Sequence, residues 1–286
     1  MATEPDHTTT AVLHDGSLLE VRAWGAGAHL VLPERTRRLP PAEADNLRAW
    51  GGDPDYGLKL AVALAERACV VTADVTGHRL AHPAPDTLTP ENLVADVVAI
   101  ADAAGADGFA YVGYSWLALA GLQVAARTDR LTRLAMGGFP PVDGPYDAML
   151  AVTRASHERA ATPPEPAAEH EVTPGDWDTA EIRTDEQQTR QFVTLYEALQ
   201  GFDDRRVAEA LTIPRLAFAG ADDDISYGPD WGGVRVPIAE TLRRTAPELE
   251  AAGWSVRLLD GLDHLGAMHA DVVLPLLSEW WDDGGR

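Results

Sequence analysis

Phe109-Ala110-Tyr111-Val112-Gly113-Tyr114-Ser115-Trp116-Leu117-Ala118-Leu119-Ala120-Gly121 decides how this chain is read. An apolar run of strand character enters Gly-x-Ser, and a helix rich in small residues starts at once. A serine so placed sits on a sharp strand-to-helix turn, with its Oγ exposed and the N–H groups of a helix start beside it. Such a hydroxyl can reach a carbonyl carbon, and the amides can hold the oxyanion that results. The same residues also suit a serine that only caps a buried helix, because Ser is a favoured N-cap.

Outward from this run, strands and helices alternate. Ala11 to Ala23 reads as two short strands around the turn Asp15-Gly16, and a buried strand, His29 to Leu32, stops at Pro33. Helical spacing predicts a helix over Tyr56 to Arg67 and another over Asn92 to Ala103; the strand Cys69 to Ala73 lies between them. Leu131 to Met136 is the strand after the Ser115 helix. From Pro140 to about Thr212 no strand-like run occurs. Pro163, Pro164, Pro166 and Pro174 there mark a flexible Pro/Glu/Ala loop, and Gln187 to Leu199 and Arg205 to Leu211 are helix-prone. The alternation resumes with the strand Arg215 to Ala219, a helix over Pro237 to Ala252, the strand Ser255 to Leu259 and a last helix over Asp271 to Trp281. Alternation of this kind implies parallel pairing with right-handed crossovers, hence an α/β fold with a mostly parallel central sheet flanked by helices. The expected division is a core of residues 1–139 and 213–286 with a helical cap insertion at 140–212.

Composition narrows the function. The chain has 286 residues and a formal net charge of −22. A surface that acidic repels phosphate backbones and anionic lipid, which disfavours nucleic acid and membrane surfaces as partners. Cys69 is the sole cysteine, so neither an intrachain disulfide nor a thiolate cluster can form; its apolar run assigns it to the core. The N-terminus lacks the basic and apolar regions of a signal peptide, and no window is apolar enough to span a membrane, so a soluble cytoplasmic protein is expected. Lys59 is the only lysine, a skew toward arginine that reads as codon bias.

A serine nucleophile needs a base to take its proton and a third group to hold that base. In an open α/β sheet such groups gather at the carboxyl ends of strands. Gly220-Ala221-Asp222-Asp223-Asp224 follows one late strand, and Asp263-His264 follows the other, past the turn at Gly261. Serine, acid and histidine thus come in the chain order this architecture uses. His269 is a rival base, but it falls near the start of the last helix.

With these residues in place the chain resembles the α/β-hydrolase fold superfamily over nearly its whole length. The resemblance implies a nucleophile elbow at Ser115 and a Ser-Asp-His triad. Its usual Gly-x-x-Asp selects Asp223 as the acid, with His264 as the base. Asp74-Val75-Thr76-Gly77 matches the family's Asp-x-x-Gly, where a carboxylate fixes a turn. His78 and His82 follow it and read as solvent or loop histidines rather than metal ligands.

Two positions depart from the family. The His-Gly that many members carry after the third strand is replaced by Leu32-Pro33-Glu34-Arg35. Pro33 has no N–H. The backbone N–H of Glu34 or Arg35, with Arg35 preferred, is expected to form the oxyanion hole with that of Trp116. A Glu34 carboxylate there opposes an oxyanion unless it points away or pairs with Arg35. The last glycine of Gly-x-Ser-x-Gly is Leu117, to be accommodated by small neighbours such as Ala118 and Ala120. Tyr227 and Trp231, in the loop after Asp223, read as surface packing as readily as pocket lining.

The expected activity is hydrolysis of a small carboxylic ester or lactone through an acyl-enzyme on Ser115, with no cofactor and no metal. A small-molecule substrate is the expected partner, and a homodimer stays open. C–C bond cleavage, amide hydrolysis or acyl transfer would use the same triad, and a non-catalytic small-molecule-binding protein is the rival of another class.

Overall fold

The computed structural model describes residues 4–162 and 184–282. Its first half runs β1 (His7–Val12), β2 (Leu18–Trp24), β3 (His29–Leu32), α1 (Pro41–Ala49), α2 (Tyr56–Leu64), β4 (Cys69–Thr72), α3 (Val75–Ala81), α4 (Pro90–Ala103), β5 (Phe109–Tyr114), α5 (Trp116–Arg127) and β6 (Leu131–Gly137). After it come α6 (Tyr146–Ala160), α7 (Glu186–Ala198), α8 (Asp204–Ala210), β7 (Arg215–Gly220), β8 (Asp224–Ser226), β9 (Arg235–Pro237), α9 (Ile238–Ala251), β10 (Ser255–Leu259) and α10 (Ala270–Asp282).

Eight strands form one sheet in the order β1-β2-β4-β3-β5-β6-β7-β10. The β1–β2 and β2–β4 pairs are antiparallel and every later neighbour is parallel. Parallel strands need both faces covered. On one face Leu30, Leu32, Val112 and Tyr114 pack with Tyr56 and Leu60 of α2 and Leu277 and Trp280 of α10. On the other, Val31 and Tyr111 pack with Leu93 and Val97 of α4 and Leu119 and Leu122 of α5. Every residue of β5 is buried.

The order β4-β3-β5 means that the chain leaves β3 for one neighbour and then crosses to the other side. That is a switch point, where the loops at the carboxyl ends diverge and leave a crevice. Glu34 and Arg35, after β3, and Ser115, after β5, border it.

Between β6 and β7 the described residues contain α6, α7 and α8 and no strand. The Pro-bearing loop expected around Pro163, Pro164, Pro166 and Pro174 lies outside the described residues. The short ribbon β8–β9, three residues a side, was too brief to show a period, and α1 was unforeseen.

Two readings of the sequence need correction. His78 is buried on α3, where its Nε2 meets Ser17 Oγ at 2.8 Å. It belongs to a network that ties the β1–β2 hairpin to α3 and α4. Fully buried Arg79 donates to Asp15 Oδ2 (2.6 Å) and Asp96 Oδ2 (3.4 Å), and His14 Nδ1 sits 2.9 Å from Asp96. Trp231 is buried too, beneath the Arg159 guanidinium, 4.5 Å from the ring.

Candidate active site

Ser115 is held in a conformation that non-glycine residues avoid, with φ 56° and ψ −128°. Among the described residues Asp143 is the only other non-glycine residue at positive φ. Such a backbone costs about 1–3 kcal/mol and persists only where its surroundings fix it. Here the Ser115 N–H donates to the Gly137 carbonyl (2.8 Å), and the Ser115 carbonyl accepts from Ala118 N–H (2.9 Å), the first bonds of α5. The Ser115 side chain makes no helix-capping hydrogen bond. Its hydroxyl is therefore not committed to the helix, as a plain N-cap serine's would be.

The tight strand–helix approach is made by glycines on either side of the serine. A Cβ on Gly113 would collide with the Leu117 backbone carbonyl, and one on Gly121 would come within 2.8 Å of the Tyr111 ring and of Leu134. Leu117 itself is buried in the core, and Tyr111 donates its hydroxyl to the Leu117 carbonyl at 2.8 Å. The elbow is closed from the strand side, at Gly113, and this removes the need for a glycine at 117.

Asp223 and His264 come together from the ends of β7 and β10. His264 Nδ1 lies 3.0 Å from Asp223 Oδ1 and 2.9 Å from Oδ2. Asp223 is 1% exposed, and burial raises its carboxyl above the ordinary carboxylate range while His264 opposes the rise. Its neighbours are engaged elsewhere: Asp222 is exposed, and Asp224 pairs with Arg235 (3.0 Å). The rival His269 points its Nε2 at the Gly51 carbonyl (2.6 Å).

Tyr114 links this pair to the elbow. Its hydroxyl donates to the His264 carbonyl (2.7 Å), and the two rings lie 5.1 Å apart. Gly138, next to the carbonyl that holds Ser115 N–H, leaves room for the imidazole; a Cβ there would stand 3.0 Å from His264 Cε1. Among the described residues no hydrogen bond joins the Ser115 hydroxyl to His264. Catalytic hydrogen bonds often tighten only with substrate.

On the oxyanion side, the Glu34 N–H donates to the Leu32 carbonyl (2.7 Å) and is thus engaged. Of the two amides open in the sequence, Arg35's is left. The Trp116 N–H opens α5, where a helix has no internal partner for it. The Trp116 indole donates to Thr76 Oγ1 (3.2 Å) and meets Phe192 of α7 edge-on at 5.4 Å. Asp74 caps α3 by accepting from Gly77 N–H (2.8 Å), so the Asp-x-x-Gly match is a helix start.

Glu34 is the residue whose state the sequence left open. It makes no ion pair or hydrogen bond through its carboxyl among the described residues. Burial first, then the Asp74 carboxylate, pushes that carboxyl up to about 8 against the opposing Arg35 charge. Among the described residues no three His, Cys, Asp or Glu side chains converge as a metal would require.

No protein-family model matches the chain, and no curated protein matches it. Solved structures do. An esterase from Thermogutta terrifontis superposes with TM-score 0.61 at 14% identity, over 98% of this chain and 99% of that one. The fold is that of the α/β-hydrolases. The enol-lactonase from Burkholderia xenovorans LB400 (TM-score 0.59, 20% identity) matches over 96% of this chain and 99% of its own. The epoxide hydrolase VrEH1 from Vigna radiata (TM-score 0.58, 13% identity) matches over 97% of each. At such identities the likeness concerns the fold, which hosts many chemistries. Among the described residues no helix is long and apolar enough to cross a membrane.

Proposed function

We propose that the protein is a serine hydrolase that cleaves a small carboxylic ester or lactone through an acyl-enzyme on Ser115. The observation that carries this reading is the buried Asp223 carboxylate on His264 Nδ1, anchored by Tyr114 beside a strained Ser115. With Nδ1 held as the donor, Nε2 is the free base. His264 takes the Ser115 proton as Oγ adds to the carbonyl carbon. Asp223 stabilises the imidazolium, and the N–H groups of Trp116 and Arg35 receive the oxyanion. The intermediate collapses by expelling the alcohol oxygen, which takes the proton from His264. Water, activated by the same histidine, then releases the acid. The ester- and lactone-cleaving neighbours support this substrate class. The helices of 140–212 act in it as a cap, because Phe192 of α7 lies on Trp116.

The test is intact-mass detection of a fluorophosphonate adduct on wild type, Ser115→Ala and His264→Ala. One adduct on wild type and none on either variant supports the reading, and a panel of p-nitrophenyl esters and lactones then finds the substrate class. Absence of any adduct on folded wild type defeats it.

A further inference from the structure

The sheet order β4-β3-β5-β6-β7-β10 puts the strands that carry Asp223 and His264 on one side of Ser115, and β4 with α3 after it on the other. Trp116, half-buried at the start of α5, turns to the second side: its indole N–H donates to Thr76 Oγ1 of α3 at 3.2 Å. Half-buried Phe192 of α7 meets the same ring edge-on, with 5.4 Å between the centroids and 85° between the planes. One ring is thus held from the core and touched from the segment between β6 and β7. The helix that brings Phe192 is itself fixed. Fully buried Gln191 donates through Nε2 to the Arg79 carbonyl (3.0 Å) and accepts at Oε1 from the Ala84 N–H (3.2 Å). On the flanking turns Gln188 donates to the Leu80 carbonyl and Thr194 to the Pro85 carbonyl, both at 2.6 Å. Arg79 and Leu80 lie in the last turn of α3, whose carbonyls have no partner within the helix. α7 therefore supplies hydrogen bonds that α3 lacks, and docks beside the nucleophile by doing so.

In the hydrolysis set out above, the leaving alcohol oxygen takes its proton from His264. The alcohol then lies on His264's side of Ser115, and the acyl group extends to the other side, toward Trp116. We propose that Phe192, seated on the Trp116 ring, closes the acyl side of the site and restricts it to esters of short-chain acids, with Thr76 as the positioning residue that holds the indole in place. The proposal rests on the hydrolase reading and refines it: length is limited in the acid and not in the alcohol. Two rings pinned from opposite sides make a wall that yields little. A longer acyl chain has to turn the indole off Thr76 or lift α7 from α3, and either breaks hydrogen bonds on the list just given. An apolar wall of this kind selects by size, and each methylene too many costs roughly tenfold or more in kcat/KM.

The experiment measures kcat/KM for p-nitrophenyl butyrate and octanoate, which vary the acid, and for methyl and octyl butyrate, which vary the alcohol. It uses wild type, Phe192→Ala, Phe192→Leu, Thr76→Val and Thr76→Ser, with fluorophosphonate labelling of Ser115 in parallel. Expected is a wild type that prefers butyrate to octanoate by about 100-fold or more. Phe192→Ala should raise the octanoate-to-butyrate ratio by about tenfold or more and leave the octyl-to-methyl ratio at its wild-type value. Phe192→Leu should shift the first ratio the same way to a smaller extent, which covers a failure of the alanine variant to fold. Thr76→Val removes the acceptor of the indole N–H and should raise that ratio roughly threefold to tenfold, the effect of one neutral hydrogen bond. Thr76→Ser retains a hydroxyl and should behave as wild type. Three results overturn the proposal and leave the Ser115 nucleophile standing: an octanoate-to-butyrate ratio unmoved by both Phe192 variants, an octyl-to-methyl ratio that rises with it, or a labelled wild type that does not favour the shorter acid. Folded wild type that takes no label and cleaves no ester overturns both readings.

Discussion

Glu34→Gln is expected to alter how stability depends on pH, apart from any effect on chemistry. In the folded chain this carboxyl is pushed up to about 8, against 4.5 for an ordinary glutamate. Between those values the unfolded chain has released the proton and the folded chain retains it. The folded state binds more protons there, so stability declines as pH rises. The contribution is complete below about pH 4.5, is lost progressively as pH climbs through about 8, and is constant beyond. At about 1.4 kcal/mol per pH unit the full gap amounts to about 5 kcal/mol. Contact of the carboxyl with solvent screens its charge and reduces this to about 2–4 kcal/mol. Glutamine matches the shape and cannot ionise, so the stability of Glu34→Gln relative to wild type should grow by about 2–4 kcal/mol from pH 5 to pH 9. Urea unfolding followed by tryptophan fluorescence at five pH values measures it, since all other titrating groups are common to both proteins. Parallel curves would refute the reasoning, because they would mean that Glu34 ionises in the folded chain as readily as in the unfolded one.

Asp223→Asn should slow fluorophosphonate modification by roughly 10³–10⁴-fold at neutral pH, because an amide donor at Nδ1 would place the imidazole proton on Nε2; circular dichroism would establish that the variant is folded. Gly113→Ala drives a methyl into the Leu117 carbonyl and should cost about 2–3 kcal/mol in urea unfolding, along with loss of Ser115 reactivity. Arg79→Leu leaves Asp96 buried and Asp15 without its cation, and should lower unfolding free energy by about 3–5 kcal/mol. Burial acts to raise Asp15, but hydrogen bonds from Arg79 and Ser17 outweigh it and hold the carboxyl well below the usual range. Its stabilisation therefore holds near neutral pH and is lost on acidification, so the penalty of Arg79→Leu should shrink toward pH 3.

Strands buried on both faces were plain in the sequence because parallel pairing writes them as continuous apolar runs, as in Phe109–Tyr114 and Arg215–Gly220. The candidate site residues were readable for a related reason: strand ends are where an α/β sheet collects such groups, and Ser115 and Asp223 follow buried runs while His264 follows the edge strand β10. What escaped depends on partners far along the chain. His78 is buried because Ser17, in the hairpin, accepts it, and nothing near residue 78 records that. Asp74-x-x-Gly77 became a helix cap rather than a bare turn because α3 packs beneath the hairpin. Glu34's state follows from burial and then from Asp74, which only the assembled fold brings about.

The placement of α6, α7 and α8 between β6 and β7 has a kinetic consequence. Ser115 is synthesised before that segment, and Asp223 and His264 after it. They share one sheet only once β7 has paired with β6 across the whole detour. Closing so long a loop is entropically slow, and β10 can add only after β7 is in place. On the proposed mechanism, Ser115 reactivity is therefore a clock that starts at the end of folding: during refolding, backbone signals should recover first and nucleophilicity last.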